Sequence, residues 1–387
     1  MNAPATHPPF VAIACGGTGG HLFPGLAIAG QLRRRGCTVA LLISPKEVDQ
    51  QAVQSARDLE IVTLPAVALQ GGNYFSFAKN FWRSWRAARA YFSAHPPAAV
   101  LAMGGFTSAP PVLAAKKCRA ATFLHESNTI PGRANRFLAR WVDGAFVGFP
   151  GAADRLRPAR VTVAGTPVRP AFQPRDPAPC RVQLGLDPHR PTILVMGGSQ
   201  GASGLNALIL SVLPRLGARN WQWLHLTGAA DFDRVRAAYA TRGLTAVVKP
   251  FMAEMDVALG AATAAVSRAG ASSLAEIAAL LLPALLVPYP TAADDHQLYN
   301  ARAFTNTGAA RLLEQNTATA ETAFASLQDL VENEQTRAGI RTALVRWHAP
   351  RAAEEIADHI LQVITQRAGH RRTETPQVAC GCCKAGA

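Results

Sequence analysis

Phe10-Val11-Ala12-Ile13-Ala14-Cys15-Gly16-Gly17-Thr18-Gly19-Gly20-His21 is echoed later by Thr192-Ile193-Leu194-Val195-Met196-Gly197-Gly198-Ser199-Gln200-Gly201. In each stretch an unbroken apolar run meets a glycine loop and then a helical pattern. An unbroken run, rather than an alternation, is the mark of a strand buried on both faces of a parallel sheet. Glycines between strand and helix let backbone N–H groups approach a phosphate, and the helix start adds about half a positive charge. Tight turns alone would use the same glycines. Neither loop is a full GxGxxG fingerprint and no GxxxxGK[ST] is present, so dinucleotide and ATP binding lose ground.

Working outward from the first stretch, apolar runs recur at Thr38 to Ile43, Ile61 to Leu64, Ala99 to Ala102, Ala121 to Leu124, Ala145 to Val147 and Val161 to Ala164. From the second they recur at Gln222 to Leu226, Ala246 to Val248, Ala264 to Val266 and Ala284 to Val287. Helical patterns separate them. The first helix carries Pro24 in its opening turn and stops near Gly36, while the second repeats Leu205, Leu208, Ile209, Val212, Leu213 and Leu216 at helical spacing. Seven prolines between 167 and 191 read as a linker. The fold class is α/β, with two Rossmann-like domains whose parallel sheets face a central cleft. The expected division is 1–168, 169–350, a C-terminal helix over 351–368 and a disordered Cys-containing tail over 369–387.

With 387 residues, 49% of them hydrophobic and 17% charged, the chain is neither disordered nor a single small module. Its 39 Lys+Arg against 25 Asp+Glu give a net charge of +14, which attracts nucleic acid, acidic membrane or phosphorylated substrate. Seven unpaired-looking cysteines fit a reducing compartment. The stretch before Phe10 lacks the features of a signal peptide, and no apolar run approaches the ~20 residues that span a bilayer, so any membrane contact is peripheral.

His21 follows the first glycine loop at the cleft edge, where a near-neutral imidazole can take a hydroxyl proton; capping a helix end is an equal alternative. In Ser267 to Glu276 a strand again meets a helix start. Ser273 and Glu276 have capping-box spacing, and a carboxylate there also suits a ribose diol. Asp294-Asp295-His296-Gln297, in a loop beyond a strand end, suits sugar hydroxyls. The lone DxD of Asp231 and Asp233 reads as a helix start. No metal and no cofactor are expected.

Over Phe75 to Phe92, helical projection gathers Phe77, Phe81, Trp82, Trp85 and Phe92 on one arc beside Lys79, Arg83 and Arg86. That pattern fits an anionic membrane interface or, equally, a helix packed on the first sheet. No nucleic-acid motif accompanies it, and nucleic acid is not an expected partner.

GGTGGHLFPGLA (16–27), MGGF (103–106), HESN (125–128), GTPVR (165–169), GGSQGA (197–202), RAGASSLAEIAA (268–279) and DDHQLYNA (294–301) together resemble the MurG family. These peripheral glycosyltransferases add N-acetylglucosamine to the lipid-linked muramoyl-pentapeptide of peptidoglycan synthesis. The resemblance runs in order over about 285 residues. It implies a GT-B architecture, with the acceptor lipid on the N-terminal domain and UDP-N-acetylglucosamine on the C-terminal one. An inverting, metal-independent transfer at the cytoplasmic face of the plasma membrane follows, beside other cell-wall machinery. By the same resemblance Arg169 and Ser199 meet the donor phosphates, while Ala271, Ser272, Ser273, Leu274, Ala275 and Glu276 hold phosphate and ribose. Met252 lies beside uracil, and His296 and Gln297 meet the sugar. Thr18, Gly19, Gly20 and Asn128 face the reaction centre, with His21 the favoured base. Thr166, Ser127 and Ala269 stand where the family usually has Asn, Gln and Ser, which alters contacts near the cleft. A related glycolipid synthase, a UDP-sugar epimerase and a catalytically silent UDP-sugar scaffold are the rival readings.

Overall fold

A computed structural model of the chain describes residues 8–16, 19–45, 58–65, 74–156, 160–198 and 201–373. Two sheets organise them. The first joins β1 (Phe10–Ala14), β2 (Thr38–Ile43), β3 (Glu60–Thr63), β4 (Ala99–Ala102), β5 (Ala121–Glu126), β6 (Gly144–Val147) and β7 (Val161–Val163) in the order β3-β2-β1-β4-β5-β6-β7. The second joins β8 (Thr192–Met196), β9 (Gln222–Leu226), β10 (Ala246–Lys249), β11 (Ala264–Ser267), β12 (Ala284–Leu286) and β13 (Arg311–Leu312) in the order β10-β9-β8-β11-β12-β13. Every pairing among them is parallel. Central strands β1, β4, β8 and β11 are buried almost throughout, which is why their sequences do not alternate.

Most expected strands fall on observed ones. The third lies one residue earlier than its apolar run, at Glu60–Thr63, and the edge pair Arg311–Leu312 is too short to leave an apolar pattern. Strand order reverses between β1 and β4 in the first sheet and between β8 and β11 in the second. At such switch points the flanking connections leave on opposite faces and open a crevice at the strands' carboxyl ends. The described ends of both glycine loops, Gly16 and Gly19 in the first and Gly198 and Gly201 in the second, therefore lie at crevices.

Helix α1 (Gly19–Arg34) buries Leu22, Gly25, Ile28, Ala29 and Leu32 against the first sheet. Its expected proline is displaced from the opening turn: Pro24 is the sixth helical residue and lies inside the helix. Helix α2 (Tyr74–Ala94) packs chiefly on α3 (Ala109–Lys117). Helix α4 (Arg133–Leu138) lies between β5 and β6, and within the linker α5 (Pro177–Gln183) begins at an Asp176 cap. In the second domain, α6 (Ser203–Val212), α7 (Phe232–Thr241), α8 (Met255–Ala261), α9 (Ala271–Ala279), α10 (His296–Thr305), α11 (Ala320–Glu332) and α12 (Glu334–Leu344) follow.

The last helix, α13 (Ala352–Thr373), belongs to the first domain's core, although its sequence follows the second domain. Ala353, Ile356, Ala357 and Ile360 join Ile13, Leu22, Ile28 and Leu41 in one buried cluster. Asp358 accepts from Arg35 Nε at 2.6 Å, and His359 sits edge-on to Phe123 and Phe146. The chain returns past Gly165, where φ is +82° and any side chain would collide with Ala349. The helix runs to Thr373, five residues into the segment expected to be disordered; the cysteines at 380, 382 and 383 lie outside the described residues.

Ile356 is fully buried at this return crossing. Ile356→Ala is expected to lower stability by about 2–5 kcal/mol, measured by urea denaturation, with the loss carried by the first domain despite the residue's place near the C-terminus.

Candidate active site

On the first-domain side, the imidazole of His21 lies against the bare backbone of Gly104 and Gly105. A Cβ on Gly104 would sit 2.8 Å from His21 Nε2, and its φ of +120° disfavours any side chain. The MGGF segment thus lets the His21 ring settle on main chain at the switch point. Thr107 Oγ1 donates to the Gly16 carbonyl at 2.7 Å and Ser108 Oγ to the Ala14 carbonyl at 3.1 Å, tying that segment to the end of β1.

At the end of β5, buried Glu126 accepts from the Asn128 N–H at 2.8 Å, Asn128 Nδ2 at 3.1 Å, the Gly132 N–H at 2.9 Å and Asn135 Nδ2 at 2.9 Å. A buried carboxylate is tolerated only with such donors, and here they fix the orientation of Asn128. His125 is fully buried, which holds its pKa down, and its Nε2 lies 3.0 Å from the Gly165 carbonyl. Ser127 Oγ lies 3.3 Å from His125 Nδ1, so this departure from the family pattern points into the first domain.

On the second-domain side, α9 starts at the end of β11 with Gly270 as its N-cap and no side-chain cap. The capping box of Ser273 and Glu276 does not form, because the helix begins at Ala271, two residues before Ser273. Glu276 is thereby left to other partners. Burial pushes its carboxyl up to about 7, with Arg169 drawing it down and Asp256 pushing it further up. The Arg169 guanidinium stands 4.7 Å from the Phe23 ring centre and 5.0 Å from that of Phe172. Gln297 Oε1 accepts from the Ala269 N–H at 3.2 Å and the Tyr289 N–H at 3.0 Å, which fixes its side chain at the start of α10. His296 Nδ1 lies 2.8 Å from the Ala293 carbonyl. Met252 is not at an open surface: it is 5% exposed within the second-domain core, whereas neighbouring Phe251 is 59% exposed.

The two sides touch. Ser272 Oγ donates to the Gly20 carbonyl at 3.0 Å. Asn300, fully buried, accepts at Oδ1 from the Thr129 N–H at 2.9 Å and donates through Nδ2 to Asn128 Oδ1 at 3.0 Å and to the Ala269 carbonyl at 3.1 Å. Arg136 donates to Asp294 at 2.8 Å, with Arg133 3.6 Å from the same carboxylate. His21, Gly19, Gly20, Asn128, Arg169, Gln297 and the Ala271–Glu276 turn therefore share one seam, while Thr18 and Ser199 lie outside the described residues. Glu126 and Asn300 received no role from sequence, because their importance comes from partners distant along the chain.

Asp231 stands at the N-cap position of α7 without a side-chain cap; its carboxylate accepts from Asn206 Nδ2 at 2.9 Å and pairs with Arg234 instead. Among the described residues no cluster of His, Cys, Asp or Glu is arranged to hold a metal ion. The aromatic arc of α2 divides. Phe92 is buried, and Phe81 and Trp85 pack partly on the first-domain core. Phe77 meets Phe106 edge-on at 5.4 Å. Tyr74, Phe75 and Trp82 are exposed, together with Lys79, Arg83 and Arg86, and Arg86 lies 4.7 Å over the Trp82 ring.

The Glu276 carboxyl gives a pH test. Its folded value, about 7, exceeds the ordinary 4.5, so the native state holds this proton more tightly than the unfolded chain. Wild-type stability relative to Glu276→Gln is expected to be highest below pH 4.5, to fall as pH rises through about 7, and then to level off. Paired thermal melts across that range measure it; a pH-independent difference would contradict the assignment.

Two family descriptions match the chain: the glycosyltransferase family 28 N-terminal domain over residues 11–147 and its C-terminal domain over residues 192–359. A UDP-N-acetylglucosamine–N-acetylmuramyl-(pentapeptide) pyrophosphoryl-undecaprenol N-acetylglucosamine transferase of Gloeobacter violaceus is 36% identical over 92% of this chain and 99% of its own length. Its namesake in Xanthomonas euvesicatoria is 38% identical over 91% of this chain and 80% of its own. The crystal structure of Acinetobacter baumannii MurG superposes with a TM-score of 0.73 at 27% identity, covering 92% of this chain and all of that one. A structure titled as a putative UDP-N-acetylglucosamine 2-epimerase of Listeria monocytogenes shares the fold, with a TM-score of 0.68 at 15% identity, over 96% of this chain and 99% of its own. With both domains matched and relatives alike over nearly their whole length, this chain belongs to glycosyltransferase family 28 and, within it, to the MurG family.

Proposed function

We propose that this chain transfers N-acetylglucosamine from UDP-N-acetylglucosamine to the 4-hydroxyl of a lipid-linked muramoyl-pentapeptide. The observation that carries this reading is the seam itself, where the Gly20 carbonyl, next to His21, meets Ser272 and where Asn128 meets Asn300 of the other domain. The relatives named above supply the substrate class.

In this reading the diphosphate of the donor lies at the start of α9, where backbone N–H groups and the guanidinium of Arg169 take up charge as UDP departs. The family resemblance gives Ser199, outside the described residues, a hydroxyl contact to the same diphosphate. Glu276 accepts both ribose hydroxyls, and their hydrogen bonds favour the charged carboxylate, drawing down a pKa that burial has raised. Uracil lies near Phe251 and Met252. Gln297 and His296 face the sugar, with Gln297 held by its carbonyl end. The acceptor oxygen attacks the anomeric carbon as its proton passes to the His21 imidazole. The bond from that carbon to the phosphate oxygen breaks and its electron pair leaves with UDP, inverting the anomeric centre. Arrangement of both reactants in one cleft supplies much of the rate.

The acceptor is anchored in a bilayer, so the enzyme must approach one. No helix among the described residues is long and apolar enough to cross a membrane. Exposed Tyr74, Phe75 and Trp82, with Lys79, Arg83 and Arg86 beside them, suit insertion into an anionic interface at the cytoplasmic face, favoured by the net charge of +14.

UDP release is the test. It should require lipid-linked acceptor and continue in the presence of chelator, and His21→Ala should lower kcat by about 10²–10⁴. Conversion of UDP-N-acetylglucosamine without any acceptor would indicate an epimerase, binding without release a scaffold, and undiminished turnover in His21→Ala would remove that residue as the base.

A further inference from the structure

Helices seldom place proline beyond their first turn, because the ring nitrogen has no hydrogen to give the carbonyl four residues back. In α1 that carbonyl is Gly20, and Pro24 is the residue that would have served it. Gly20 is not left without a donor of this kind: the hydroxyl of Ser272, 252 residues away on the other domain, donates to it at 3.0 Å. Both residues sit in the opening turns of their helices, α1 at the end of β1 and α9 at the end of β11, and these turns pack against each other across the cleft.

We propose that Pro24 and Ser272 act as positioning residues that register the two halves of the active site. Pro24 keeps the Gly20 carbonyl out of α1's internal ladder, and Ser272 claims it from the opposite domain. The helix start that carries His21 is thereby fixed against the one that carries Ala271 to Glu276. An alanine at position 24 would satisfy Gly20 within α1, a cheaper arrangement locally, because alanine is the best helix former. On this view the proline trades helix continuity for an acceptor aimed across the cleft. Neither residue need touch a reacting atom for the effect to appear. Pro24 is buried within α1, and its side chain has no donor or acceptor to offer a substrate.

The inference rests on the transferase reading, and its test separates the two. Acceptor-dependent kcat/KM is measured for wild type, Ser272→Ala, Pro24→Ala and the double variant. Wild type that releases no UDP with acceptor overturns the transferase reading. If wild type is active, the pin predicts that each single substitution lowers kcat/KM by about three- to tenfold, the worth of one hydrogen bond. The double variant should fall no further than the weaker single, because both remove the same bond. Losses that multiply would overturn the pin and leave Ser272 only a direct ligand of the donor. A second measurement does not depend on how Pro24→Ala folds. Hydrogen exchange of substrate-free Ser272→Ala should quicken in the first turns of both α1 and α9, whereas a hydroxyl that serves only the donor would leave α1 unchanged and overturn the proposal.

Discussion

Parallel pairing sends every strand of a sheet to the same edge, and the rest of this molecule depends on that constraint. Connections at that edge such as those into α1 and α9 end in a helix start with unpaired N–H groups, so two parallel sheets set edge to edge give a cleft lined with main-chain donors. The reversals of strand order, between β1 and β4 and between β8 and β11, fix where along the edge the cleft is deepest. Those are the places where His21 lies on Gly104 and where the Ala271 turn begins. A family that must bind a diphosphate while reaching a membrane-held acceptor can place one task on each sheet.

The contacts between the domains are of two kinds: Phe149 packs on Phe304 and Trp347 within the second domain's core, and polar groups meet at the cleft. One hydroxyl, one buried amide and a carboxylate shared by two arginines join the domains. Asn300 is the most consequential of them, since it ties Asn128, Thr129 and Ala269 through a single side chain. The return of α13 to the first domain supplies a different kind of link, covalent and apolar, that leaves the cleft edge free.

Continuous apolar runs made the buried strands legible in the sequence, and the glycine loops located the two crevices, because strand burial and close backbone approach both leave local signatures. The edge pair Arg311–Leu312 left none. Helical projection treated the α2 aromatics as one arc, but a helix seated on a core buries a narrower stripe, so Phe92 went inward while Trp82 stayed out. Capping-box spacing at Ser273 and Glu276 misled for a similar reason: the spacing was right, but the helix starts at Ala271. Glu126 and Asn300 were illegible, since each earns its place from partners brought together only by the fold. The resemblance to a family, carried by seven short motifs, identified the chemistry that no spacing alone specified.

The central claim is that the donor's diphosphate lies at the start of α9 beside Arg169, facing His21 across the seam. A crystal structure of the full chain with UDP-N-acetylglucosamine tests it most directly. The account predicts phosphate oxygens within hydrogen-bond reach of the Ala271–Ser273 N–H groups and ribose hydroxyls on Glu276. A nucleotide seated in the first domain, or one that leaves Glu276 and Arg169 untouched, would contradict it.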